Sequence, residues 1–81
     1  MIAQFWEWGV LREGGNRPVG LRGTEHAAMA ALSKALVAGG RPARGQVAQV
    51  TLIRPVHKDA GYVREPPQHT AVYDGTVIQW R

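Results

Sequence analysis

Cysteine is absent from this 81-residue chain, which removes several kinds of chemistry. Without thiols the chain forms no disulfide, performs no thiol catalysis and binds no zinc through cysteine. No apolar run approaches the ~18 residues that a membrane-spanning helix needs. The N-terminus also lacks a basic region followed by an apolar stretch, the pattern of a secretory signal. We therefore expect a soluble cytoplasmic protein with no membrane partner.

The familiar motifs of ligand and metal sites are also missing. No Gly-Lys-Ser/Thr sequence or GxGxxG pattern is present, which argues against a nucleotide cofactor. The three histidines, His26, His57 and His69, show no i, i+4 spacing of the kind that places two metal ligands on one helix face. We predict no metal site, no cofactor and no catalytic residues, and the sequence favours a binding protein over an enzyme.

Aromatic residues are few, and half of them lie close together. The chain has three tryptophans, two tyrosines and one phenylalanine, and the segment FWEWGV at residues 5–10 contains three of the six. Aromatic side chains on a sheet can stack with nucleic-acid bases, and Trp6, Trp8 and Trp80 are the candidates. The RNP pattern of basic residue, glycine and spaced aromatics is absent, however. We therefore expect these rings to belong to the hydrophobic core.

Positive charge is abundant, with ten Lys and Arg against six Asp and Glu and a net charge of +4. Arginine dominates, and its planar guanidinium binds phosphate in a bidentate manner. The candidate anion-binding residues flank the two ends of the predicted helix: Arg12, Arg17, Arg22, Arg41 and Arg44. The loop before the helix could add backbone N–H groups at the helix N-terminus. A GC-rich bacterial genome would also raise the arginine content through codon usage alone.

One helix and four strands can be assigned from local patterns. Residues 2–12 are apolar and β-branched, as are residues 46–54, and both segments are predicted as strands. Thr24 is a suitable N-cap, the alanine-rich segment after it favours helix, and Gly39-Gly40 ends it. Asp74-Gly75 is a preferred pair for a two-residue hairpin turn, which would pair Tyr73 with Thr76. Residues 13–23 and 55–68 are rich in Gly and Pro and are predicted to be irregular.

The expected fold is thus α+β, a single small domain covering residues 1–81. Its element order is β-α-β-β-β, with one helix packed on a mostly antiparallel sheet and a β-hairpin at the C-terminal end. Alternation places Trp6 and Trp8 on one face of the first strand, and we expect that face to contact the helix. The helix should present Ala28, Ala31, Leu32, Ala35 and Leu36 to the sheet.

Every predicted strand is apolar on both faces, and one helix can cover only one of them. The second face would be covered by the long loops, by a second copy of the chain or by a ligand. We expect a homodimer, because exposed apolar patches usually mark interaction sites. The interface candidates on this face are Phe5, Leu11, Val72 and Val77.

Three functions remain open from the sequence. The first is a small basic protein that binds DNA or RNA without catalysis, through phosphate contacts from the loop arginines. The second is a homo-oligomeric protein-interaction module whose apolar sheet face forms the interface. The third is a small RNA-cleaving enzyme of the kind found among toxins, with Tyr62, Arg64, His69 and Tyr73 as the pieces of its site.

Overall fold

The computed structural model describes residues 2–11, 17–53 and 61–81. Six strands and one helix follow one another in the described part. In chain order these are β1 (Ile2–Leu11), β2 (Val19–Arg22), α1 (Glu25–Gly39), β3 (Ala43–Ile53), β4 (Gly61–Arg64), β5 (His69–Tyr73) and β6 (Ile78–Trp80). One helix on an antiparallel sheet confirms the predicted α+β class.

The helix begins and ends where the sequence predicts. The Thr24 side chain accepts a hydrogen bond of 3.1 Å from the backbone N–H of Ala27, which satisfies one of the unpaired donors of the first turn. Gly40 ends α1 in the left-handed conformation, with φ of 68°, which glycine adopts without steric cost. Its backbone N–H donates to the carbonyl of Val37 at 3.0 Å. These caps fix both the entry to the helix and the direction of the chain after it.

Strand β3 lies at the centre of the sheet. It pairs with the whole of β1, from Ile2–Ile53 to Leu11–Arg44, and β1 pairs in turn with the short strand β2. The other edge of β3 pairs with two strands, one after the other. Ala43–Val47 pair with β5, and Val50–Ile53 pair with β4. Strand β6 completes the sheet beside β5, and all of these pairings are antiparallel.

The hydrophobic core lies between α1 and one face of the sheet, which we call the helix-side face. Leu32, Leu36 and Ala28 are fully buried on the helix. From the sheet, Trp8, Val10, Val47, Ala71 and Tyr73 meet them. Trp6 and Trp80 pack at the border of the core and are partly buried. The apolar stripe of the helix and the inward side of β1 are therefore as predicted, and the tryptophans serve the core.

Two strands, β2 and β4, lie where the sequence predicts only irregular structure. β2 extends the sheet beyond β1, and β4 pairs with the far end of β3. Each of these segments contains a glycine, which has low strand propensity, so the sequence pattern does not indicate a strand there. In β2 the glycine is required by packing: a Cβ at Gly20 would lie 2.7 Å from Nε1 of Trp8. Central strand β3 also begins three residues before the predicted position.

The hairpin is present, but its predicted turn is wrong. Tyr73 pairs with Ile78, and not with Thr76, so four residues connect β5 to β6. The carboxylate of Asp74 determines this connection by accepting hydrogen bonds from the N–H groups of Thr76 (2.8 Å) and Val77 (2.9 Å). These bonds to Val77 and Thr76 lower the pKa of Asp74 below its ordinary value of 3.8. The register shift is two residues, so Ile78 and Trp80 still share the face of Ala71 and Tyr73.

Candidate nucleic-acid interface

An open groove at one end of the sheet brings three of the predicted arginines together. Its volume is about 790 Å³, and it lies where β1 ends and β3 begins. Leu11, Val72 and Tyr73 provide its apolar wall, and Pro42 and Ala43 complete it. The three cations are Arg17, Arg41 and Arg44. We call this surface the arginine groove.

The chain after the helix places two of these arginines. Gly40 turns the backbone out of α1, and Arg41-Pro42 leads directly into β3. Arg44 is the second residue of β3, and its neighbours across the sheet are Leu11 and Val72. Both arginines are exposed. Arg41 also follows the negative end of the helix dipole, where a cation is favoured.

The described side chains that line the arginine groove carry charge of one sign only. None of the described residues that line it is acidic. Among the described residues, Arg41 and Arg44 form no ion pair. Several like charges around one concave surface focus the electrostatic potential and attract anions. The groove can therefore bind phosphate groups through bidentate guanidinium contacts.

A second groove of about 460 Å³ lies between α1 and the edge of the sheet at β2. We call it the helix groove. Its floor includes Trp8 and Ala35, and its two cations are Arg22 on β2 and Lys34 on the helix. The Arg22 guanidinium donates a hydrogen bond of 2.9 Å to the carbonyl of Leu21. No acidic side chain is found among the described residues around this groove either.

The five predicted anion-binding residues thus fall into three groups. Arg17, Arg41 and Arg44 share the arginine groove, Arg22 lies in the helix groove, and Arg12 is outside the described residues. Sequence reasoning missed Lys34 as a candidate. Its position outside the apolar stripe of the helix marked it as exposed, but only the packing of β2 beside the helix brings it near Arg22.

The predicted interface residues are dispersed. Leu11 and Val72 flank Arg44 on the second face of the sheet and line the arginine groove. Phe5 lies on that face nearer the start of β1 and is half-buried. Val77 is exposed, but it belongs to the connection between β5 and β6 and to neither strand.

An apolar strip is exposed on the second face near the β2 edge. Val19, Leu11 and Leu21 are 70%, 48% and 43% exposed. Val19 and Leu21 were not recognised as candidates because their strand was not predicted. The register places Leu21 opposite Glu7 and Val19 opposite Gly9, both on the face turned away from the helix.

Two acidic side chains, Glu7 and Glu25, contact Arg64 and His69 on opposite faces of the sheet. On the second face, the Arg64 guanidinium donates to both carboxylate oxygens of Glu7, at 3.0 and 3.2 Å. On the helix-side face, Nε2 of His69 lies 2.8 Å from Oε1 of Glu25, and the His69 ring meets that of Trp80 edge to face at 6.4 Å.

Two pieces of the hypothetical RNA-cleaving site, Arg64 and His69, lie on opposite faces of the sheet. Arg64 pairs with Val50 and His69 with Val47, positions of opposite face on β3. The hydroxyl of Tyr73 donates to the carbonyl of Gly75 at 3.0 Å, and the side chain of Tyr62 lies outside the described residues. The described part of the chain contains no group of three His, Cys, Asp or Glu residues that could hold a metal ion.

Comparison with protein-family models, with curated proteins and with solved structures found no match for this chain. In the described residues no helix is long and apolar enough to cross a membrane. The two grooves and the surface around them are therefore the features of the protein that bear on its function.

Proposed function

We propose that this protein is a small basic nucleic-acid-binding protein without catalytic activity. The observation that carries the proposal is the convergence of Arg17, Arg41 and Arg44 on one groove that no described acidic residue lines. Codon usage can raise the number of arginines, but it does not explain why arginines distant in sequence meet at one surface.

Phosphate contacts, and not base stacking, would supply the affinity. Trp8 and Tyr73 are less than one-tenth exposed, so neither ring offers a face to a base. Arg41 and Arg44 are exposed at the groove, and their guanidinium groups match the geometry of phosphate oxygens. Binding of this kind is largely independent of sequence and decreases with salt, since each phosphate contact releases condensed counterions.

Replacing Arg41 and Arg44 together by glutamine should weaken binding of labelled oligonucleotides about 10- to 100-fold near 50 mM salt. Each lost contact also reduces the slope of log K against log [salt] by roughly 0.7 to 0.9. Fluorescence anisotropy with single-stranded and duplex probes would measure both quantities. Both side chains are exposed, so the thermal unfolding midpoint should change little.

Arg81→Gln is the control for loss of an arginine at a distant surface. It removes one positive charge beyond β6, where the backbone of Arg81 pairs with Thr70 at the opposite end of β5 from the groove. We expect this variant to bind nearly as the parent chain does. Undetectable binding of every probe by the parent chain near 50 mM salt would refute the proposal. Equal losses in the control and in the groove variant would refute the assignment of the site.

A second candidate function is a homo-oligomeric interaction module, most simply a homodimer. The exposed strip of Val19, Leu11 and Leu21 favours it, because contiguous apolar surface of this kind is typical of interfaces. In this alternative the second face of the sheet would contact its copy, and the arginine content would be a codon effect.

Val19→Asp should shift such an assembly to the monomer of 8.9 kDa, because a carboxylate in an apolar interface loses its hydration without a partner. Light scattering at several concentrations would measure the mass. Val63→Asp is the control, since this exposed valine lies in β4 opposite Thr51, on the other face. A parent chain that is monomeric throughout would eliminate this candidate.

A further inference from the structure

The two grooves adjoin each other at the end of the sheet. Arg17 lines the arginine groove, and the next residue, Pro18, lines the helix groove. On the other side, Gly39 lines the helix groove and Arg41 lines the arginine groove, with only Gly40 between them. Two separate segments of the chain, 17–18 and 39–41, therefore border both grooves, so the grooves are neighbours on the surface.

This surface bends from one face of the sheet to the other. Leu11, Arg44 and Val72 lie on the second face. Trp8 and the helix residues of the helix groove lie on the helix-side face. A ligand that occupies both grooves must therefore turn around the end of the sheet.

Positive charge continues along the whole route. The arginine groove contributes Arg17, Arg41 and Arg44, the helix groove contributes Arg22 and Lys34, and all five are exposed. No acidic residue interrupts the route among the described lining residues. Spaced cations of this kind can follow successive phosphates of one backbone.

We propose that the ligand is a single nucleic-acid strand that occupies both grooves and passes around the end of the sheet. This inference rests on the proposed function and specifies its substrate class. Double-stranded DNA, whose persistence length is about 150 base pairs, would have to be strongly deformed to turn around the edge of one sheet. A single strand is flexible enough to do so.

The size of the surface agrees with a short site. Lys34 and Gly39 are five residues apart on the helix, or about 7.5 Å at 1.5 Å per residue, and the arginine groove extends the route beyond the helix end. Such a length suits a few nucleotides, at the lower end of the roughly 4 to 16 that a single-strand binding domain covers. Since Trp8 is buried, its ring offers no surface for stacking, and we expect homopolymers of different bases to bind alike.

The test compares Arg22→Gln/Lys34→Gln with Arg41→Gln/Arg44→Gln on labelled oligonucleotides of about 16 nucleotides. We expect both double variants to bind a thymidine oligomer about 10- to 100-fold more weakly near 50 mM salt, each with a salt slope reduced by about 1.4. A uridine oligomer distinguishes RNA from DNA, and a duplex of the same length should bind more weakly than the single strand. Thermal unfolding of each variant checks that the fold is retained.

The outcomes separate the inference from the function on which it rests. If Arg22→Gln/Lys34→Gln binds as the parent does while Arg41→Gln/Arg44→Gln is weakened, the continuous route is wrong and the arginine groove remains the site. If the duplex binds as tightly as the single strand and responds equally to both variants, the single-strand assignment is wrong. If the parent chain binds none of the probes, the proposed function fails as well.

Discussion

Leu32→Ala is expected to lower the free energy of unfolding by about 2–5 kcal/mol. Leu32 is fully buried at the centre of the helix stripe, in the cluster that joins α1 to the sheet. Its truncation removes apolar contacts and leaves a cavity that the surrounding strands can fill only in part. For a domain of this size the loss is a large fraction of the total stability. Urea denaturation followed by circular dichroism measures it.

The close approach of Leu32 to Gly45 allows a double variant to test the same packing. A Cβ at Gly45 would lie 2.8 Å from Cδ2 of Leu32 and nearer still to Cδ1, so Gly45→Ala alone should also destabilise the fold, by about 1–3 kcal/mol. In the double variant the added methyl group enters the space that Leu32→Ala creates. The two losses should therefore sum to more than the loss in the double variant, with a coupling of about 0.5–3 kcal/mol.

Val37→Ala is the control for the helix itself. Val37 is on α1 but is 55% exposed, so its truncation removes little buried surface, and alanine raises helix propensity. We expect almost no loss of stability. A Leu32→Ala variant as stable as Val37→Ala, or strictly additive losses at Leu32 and Gly45, would contradict the packing described here.

The parts of the fold that sequence predicts well are those with local causes. The helix ends are determined by Thr24 and Gly40, whose side chain and conformation act within a few residues. The assignment of Trp8 to the core side of β1 follows from alternation alone. The hairpin shows where local reasoning ends. Asp74-Gly75 indicates a turn, but the length of the turn is determined by the hydrogen bonds that the Asp74 carboxylate accepts from the N–H groups of Thr76 and Val77.

Strands that depend on tertiary contacts could not be predicted from the local sequence. β2 has four residues, one of them glycine, and it is stabilised by its pairing with Trp6–Gly9 and by the fit of Gly20 against Trp8. The same applies to the candidate site. Arg41 and Arg44 are close in sequence, but their meeting with Arg17 depends on how the end of β1 lies beside the start of β3. Local patterns identify the arginines as candidate anion-binding residues, but only the sheet register shows which of them share a groove.

Gly20→Ala is expected to destabilise the protein by about 1–3 kcal/mol, although it adds only one methyl group. The new Cβ would lie 2.7, 2.9 and 3.0 Å from Nε1, Cε2 and Cζ2 of Trp8. A tryptophan ring is rigid, and Trp8 is buried against the helix, so either the ring or β2 must shift. Gly23→Ala is the matched control, because nothing lies within 4 Å of a Cβ at that position. Chemical denaturation of the two variants compares them directly.

A second substitution tests whether the indole is the cause. Trp8→Phe shortens the ring at the point that faces Gly20, and it removes an indole N–H that has no hydrogen-bond partner among the described residues. An unsatisfied buried donor costs about 1–3 kcal/mol, which offsets part of the packing that the smaller ring loses. In the Trp8→Phe background, Gly20→Ala should therefore be nearly neutral. If Gly20→Ala is equally costly with either ring, the close approach of β2 to Trp8 is not what requires glycine there.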